Sequence, residues 1–237
     1  MINVVLITTG SRPDLLRQSI QSLLNNAYAM ADIHLTVVVD GLGVGAFEAI
    51  TDHLTDCDAV ISCPTGVGAS AARNIGASSI PKYRRGSHVC FFDDDIYAVK
   101  GWDVALLDLS KALPGALCSG HGHPYNHGEP AGDAAAGIPP HTRPLVISTV
   151  NFFMPWAMWD QVGWFQEPGG ASGSEDFDWC MRASKLGYGF AVTEPHCIIH
   201  TGLRSSNGKP IVGFDQMVEQ NNRLIELFKL KNVVING

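Results

Sequence analysis

Short unbroken apolar runs alternate with apolar residues at helical spacing along the first half of the chain. Asn3 to Thr8 reads as a strand buried on both faces, since a half-exposed strand would alternate polar with apolar residues. A helix is expected directly after it: Ser11 can cap it with Asp14 three residues on, Pro13 suits the first turn, and Leu16, Ile20, Leu23 and Leu24 share one face. Ile33 to Val39 is a second strand, ending in Asp40-Gly41; a weaker helix is placed over Phe47, Ile50 and Leu54, and Ala59 to Cys63 is a short third strand. Strand and helix in this order predict an α/β fold with a mostly parallel central sheet, flanked by helices and joined by right-handed crossovers.

The second half is less regular. Val89 to Phe92 reads as a buried strand ending in Asp93-Asp94-Asp95, and three adjacent carboxylates at a strand end are a poor choice for stability alone. In open α/β sheets ligands bind at the C-terminal strand ends, so acids there point to a hard divalent cation, against the plainer reading of a solvated acidic turn. Gly101-Trp102 opens a helix with Val104, Ala105, Leu107 and Leu109 available for packing, and Ala116 to Ser119 reads as a strand. Residues 120–144 are rich in Gly, Pro and His and read as a long loop, while Leu145 to Phe153 returns to strand pattern and Ala157 to Val162 to helix. After the glycine-rich stretch Pro168 to Gly173, Ser174 can cap a helix whose buried face is expected at Phe177, Met181 and Leu186. Phe190 to Thr193 and Cys197 to His200 read as strands, and Phe214 to Lys229 as an amphipathic C-terminal helix.

Composition narrows the classes. The 237 residues are 46% hydrophobic and 16% charged, ordinary for a globular domain with a sizeable core, and one continuous domain is expected. A net charge of −7 gives no support for a nucleic acid gripped through its phosphates. The six cysteines form no CxxC pair and read as small core residues, which points to a reducing, cytoplasmic setting. Residues 1–9 lack a basic region ahead of an apolar stretch and read as a strand, not a signal peptide, and no apolar run is long enough to cross a bilayer. Gly66-Val67-Gly68-Ala69-Ser70-Ala71-Ala72-Arg73-Asn74 is a glycine turn entering a helix of small residues; it matches neither a Walker loop nor GxGxxG. His121, His123 and His127 have no acidic or cysteine partner at helical spacing, which disfavours zinc.

Taken together these segments resemble the family-two glycosyltransferases of the GT-A fold, over Asn3 to about Thr201. The resemblance rests on Leu6 to Leu16 as the opening strand and helix, Val37-Val38-Val39-Asp40-Gly41, Gly68 to Asn74, Phe91 to Asp95 as the DxD motif, Glu175-Asp176-Phe177-Asp178-Trp179, and His200. Thr8-Thr9-Gly10-Ser11 departs from the family's usual Pro-Thr-Tyr-Asn and lacks its base-packing aromatic. The resemblance implies one GT-A domain, with residues 1–100 as the nucleotide-binding half, 101–213 as the acceptor half and 214–230 as a C-terminal helix. It implies an inverting transfer from a nucleotide-diphosphate sugar, most simply a UDP-sugar, to an acceptor hydroxyl. Thr8, Thr9, Asp40, Gly68, Arg73, Asp93 and Asp94 are then expected at the donor, Glu175 and Trp179 at the acceptor, and Asp176 as general base. Asp95 and His200 are expected to hold Mn²⁺ or Mg²⁺ on the diphosphate. Rival readings are a sugar-nucleotide nucleotidyltransferase, a phosphatase with an aspartyl nucleophile, and a non-catalytic nucleotide-sugar-binding protein.

Overall fold

A computed structural model describes residues 1–41, 50–121, 147–166, 175–201 and 231–235. The start of the expected helix over Phe47, most of the 120–144 loop, the 168–173 loop, Ser174 and the Phe214–Lys229 helix lie outside the described residues. The strands are β1 (Ile2–Thr8), β2 (Ile33–Asp40), β3 (Ala59–Cys63), β4 (His88–Asp93), β5 (Ile96–Ala98), β6 (Ala116–Ser119), β7 (Asn151–Pro155), β8 (Gly189–Glu194), β9 (Ile198–His200) and β10 (Lys231–Ile235). The α-helices are α1 (Pro13–Asn25), α2 (Ala69–Ser79), α3 (Trp102–Ala112), α4 (Trp156–Val162) and α5 (Glu175–Lys185). Eight strands form one sheet in the order β10-β8-β6-β7-β4-β1-β2-β3. β1, β2, β3 and β4 are mutually parallel, β6 is parallel to β8, and β7 and β10 run against their neighbours. The expected mostly parallel α/β sheet is therefore present.

Period-two burial explains why β1, β2 and β4 read as unbroken apolar runs: each faces a core on both sides. Val4, Leu6, Leu35, Val37, Val39 and Phe92 face one cluster with Leu16, Ile20 and Leu23 of α1 and Trp102 and Leu106 of α3. Val5, Val38 and Phe91 face the other, with Ala72 and Ala77 of α2, Trp159 of α4 and Trp179 of α5. The small residues of α2 let it approach the sheet closely: a Cβ at Gly76 would lie 2.4 Å from Val5 Cγ1 and 3.0 Å from Val38 Cγ2. α2 is entered through Gly68 at φ +85°, a left-handed conformation that favours glycine.

Four local expectations are corrected. Arg12, not Ser11, holds the N-cap of α1, and Ser11 Oγ instead lies 2.8 Å from Thr9 Oγ1. The strand expected over Leu145–Phe153 starts at Asn151 and continues to Pro155, after a turn at Thr149-Val150. On α5 the buried face is Glu175, Trp179, Cys180 and Ala183, whereas Leu186 lies past the helix end and is exposed. β10 pairs antiparallel to β8 at the end of the chain, where no strand was expected.

Candidate functional site

A cleft of about 300 Å³ opens at the C-terminal ends of β1, β2 and β4. It brings together Thr8 and Thr9 from the end of β1, Asp40 from β2, Arg73 from α2, Asp93, Asp94 and Asp95 from β4 and its turn, Glu175 from α5, and His200 from β9. Among the polar lining residues, Arg12 and Thr149 were not expected at the site from the sequence. A basic residue four positions past a parallel strand end was the available signal for Arg12.

Backbone pairing explains why Asp95 and His200 meet although 105 residues apart. β5 and β9 form a two-stranded antiparallel ribbon in which Ile96 faces His200. Thr201 closes it, its N–H and Oγ1 donating to the Asp95 carbonyl at 2.7 and 2.8 Å. Ser19 of α1 fixes the other side of the turn: its Oγ lies 2.8 Å from the carbonyl oxygens of both Asp94 and Ile96, and it accepts the Ile96 N–H at 3.1 Å.

The side chains form two connected ion-pair groups. Arg12 donates from Nη2 to Asp94 Oδ1 at 2.6 Å and from Nη1 to Asp95 Oδ2 at 2.9 Å. Asp94 Oδ2 accepts from Thr8 Oγ1 at 2.5 Å, and Asp95 Oδ1 lies 3.1 Å from His200 Nε2. Across the cleft, Arg73 is only 2% exposed and donates to Asp93 Oδ1 at 2.7 Å and Glu175 Oε1 at 3.1 Å. Its Cζ sits 5.7 Å from the Phe165 ring centroid, and its buried Nε has no hydrogen-bond partner among the described residues. Burial pushes the Asp93 and Asp94 carboxyls above the ordinary range in spite of Arg73, Thr8 and Arg12. Burial would raise Asp95 as well, but His200 and Arg12 bring it below its usual value. The hydrogen bond to Asp95 raises the His200 imidazole, with burial opposing.

Asp40 takes a different part. Its two oxygens accept the backbone N–H groups of Val67 and Gly68 at 2.7 and 3.0 Å, tying the end of β2 to the entry of α2. Gly68 meets the cleft through this bond and is not itself part of the lining. Asp176, next to Glu175 in the first turn of α5, is half-buried, accepts the Phe177 N–H at 2.7 Å and does not line the cleft. The expected place of Trp179 is corrected. It is fully buried, its Nε1 donating to the Gly163 carbonyl at 2.9 Å and its ring 5.6 Å from Phe152. Glu175 and Trp179 are one helical turn apart on the same face, so the turn that brings Glu175 to the cleft sends the indole into the core beneath it.

Five carboxylates thus face two guanidiniums and one imidazole, an electrostatic setting suited to a further cation. Among the described residues no three or more His, Cys, Asp or Glu side chains are arranged to hold an ion by themselves. Asp95 and His200 supply an oxygen and a nitrogen donor, which fits an ion that completes its coordination with ligand phosphates and water. His121, with its ring centroid 5.7 Å from that of His200 and 6.2 Å from that of His196, is the one member of the expected loop histidines that is described. All six cysteines are free, and burial pushes Cys57, Cys118, Cys180 and Cys197 up to about 12. No helix among the described residues is long and apolar enough to cross a membrane.

No protein-family model and no curated protein sequence matches the chain. The fold, a mostly parallel sheet flanked by helices, is nevertheless shared with solved structures. S. aureus TarS aligns with a TM-score of 0.55 at 16% identity, covering 77% of this chain and 33% of that one. Its 1–349 portion in complex with UDP-GlcNAc aligns with a TM-score of 0.56 at 17% identity, over 77% of this chain and 52% of the other. The same portion in complex with UDP gives 0.55 at 17% identity, over 77% and 54%. The chain therefore spans between a third and about half the length of these proteins, and at such identities the likeness is one of fold.

Proposed function

We propose that the chain is an inverting, metal-dependent glycosyltransferase that moves a sugar from a nucleotide-diphosphate donor, a UDP-sugar, to an acceptor hydroxyl. The observation that carries this reading is the meeting of Asp95, His200, Arg12 and Arg73 at the strand ends of a fold shared with a protein solved with UDP-GlcNAc and UDP. Thr8, Thr9 and Asp40 lie where the nucleoside enters, and Gly68 keeps the backbone beside it free of a side chain. Asp93, oriented by Arg73, faces the ribose, while Asp94 holds Thr8 and Arg12 in place. Bound between Asp95 and His200, Mn²⁺ or Mg²⁺ would supply Lewis-acid neutralisation of the departing diphosphate.

Asp176 is the base. Support for this role is its place in the chain: the buried Arg73–Glu175 pair ties the first turn of α5 to the cleft, and Asp176 follows Glu175 in that turn. The acceptor oxygen bonds to the anomeric carbon as its proton passes to Asp176, and the bond from that carbon to the phosphate oxygen breaks, its electron pair leaving with UDP. Attack opposite the leaving group inverts the configuration, and a positioned base contributes about 10²–10⁴-fold. Free buried cysteines suit a reducing, cytoplasmic setting.

Release of UDP from UDP-sugars, by transfer or slow hydrolysis, is the test. Asp176→Asn should lower turnover about 10²-fold or more while UDP affinity stays within about twofold. Normal turnover in that variant removes Asp176 from the role. UDP binding without any release of UDP in the wild type identifies a non-catalytic binding protein.

A further inference from the structure

Arg12 does two separate things. Its carbonyl accepts the Leu16 N–H at 3.0 Å, which starts α1. Its side chain leaves the helix and lies over the acids, 41% exposed where the Asp94 and Asp95 side chains beneath it are 6% and 10% exposed. With Oδ2 of Asp95 held by Arg12 and Oδ1 by His200, both oxygens of the expected metal carboxylate are already engaged. A divalent ion approaching Asp95 therefore meets a fixed positive charge within a few ångströms. A guanidinium fork also matches two phosphate oxygens as well as it matches two carboxylates.

We propose, resting on the donor-site reading above, that Arg12 is a built-in cation of the donor site. It covers Asp94 and Asp95 until a nucleotide diphosphate arrives and then passes its N–H donors to the diphosphate oxygens, so that ion and nucleotide bind together instead of ion first. A purely structural Arg12 would brace the acidic turn and touch no ligand.

Mn²⁺ binding to the nucleotide-free protein by electron paramagnetic resonance, and UDP binding in EDTA by calorimetry, separate the two. Arg12→Gln should bind Mn²⁺ about tenfold or more tightly than wild type, since a repelling unit charge is gone. It should bind UDP in EDTA about tenfold or more weakly, because a charge-assisted pair of hydrogen bonds is lost. Arg12→Lys, which keeps the charge without the fork, should leave Mn²⁺ affinity near wild type and still weaken UDP in EDTA, and it carries the test should Arg12→Gln fail to fold by thermal melt. A folded Arg12→Gln protein lacking either change, or an Arg12→Lys protein with unaltered UDP affinity, overturns the proposal. Wild-type protein that binds UDP neither with Mn²⁺ nor without it overturns the donor-site reading, and Arg12's role with it.

Discussion

At Asp95 one carboxylate serves His200 through Oδ1 and Arg12 through Oδ2, and its acidity and that of His200 move in opposite directions. The hydrogen bond raises the folded imidazole above its ordinary 6.5, so that share of stability is complete below 6.5 and is lost as pH rises through the folded value. Asp95, held below its ordinary 3.8, contributes above 3.8 and loses its share as pH falls through its folded value. The pair therefore stabilises the ligand-free protein most between those two pH values. His200→Gln should destabilise more at about pH 5.5 than at about pH 9, read from denaturant midpoints; an equal penalty at both would count against a charged pair. Both residues were legible in the sequence because each ends a short apolar run. Arg12 was not, since residues at a helix start are read as caps.

Helices α2 and α5 hold the buried half of the site. α2 places Arg73 one turn before Gly76, and Gly76 permits the close approach to β1 and β2. In an exposed helix Gly→Ala is favourable by roughly 1 kcal/mol. Here the new Cβ would overlap Val5, whose branched side chain has little freedom to move, and overpacking typically costs about 1–3 kcal/mol. Gly76→Ala is therefore expected to be net destabilised by on the order of 1–2 kcal/mol in urea denaturation and to bind UDP less tightly as Arg73 shifts. A variant as stable as wild type would show that the helix and sheet are not in such close contact. The sequence marked α5 as a helix, but put its buried face at Phe177, Met181 and Leu186 and left Trp179 for the acceptor. Only the sheet beneath, with Phe152 and the Gly163 carbonyl waiting for the indole, decides that the Trp179 face turns inward.

Across the whole molecule, four parallel strands and their crossovers deliver Thr8, Asp40 and Asp93 to one edge, as strands buried on both faces predict. β7 and β10 were harder to see. Antiparallel strands beside β4 and β8 are set by pairing across 37 to 67 residues, and no local periodicity encodes that direction. Convergence of the Asp93–Asp95 turn with His200 depends on the β5–β9 ribbon, which is too short for either strand to announce its partner. The central claim is that this convergence grips a nucleotide diphosphate through a shared cation. Calorimetric titration of UDP into wild type and Asp95→Asn, each with Mn²⁺ and with EDTA, measures it directly. Mn²⁺ should tighten UDP binding by about tenfold or more in the wild type and by little in Asp95→Asn. Equal enhancement in both proteins, or none in either, would contradict the account.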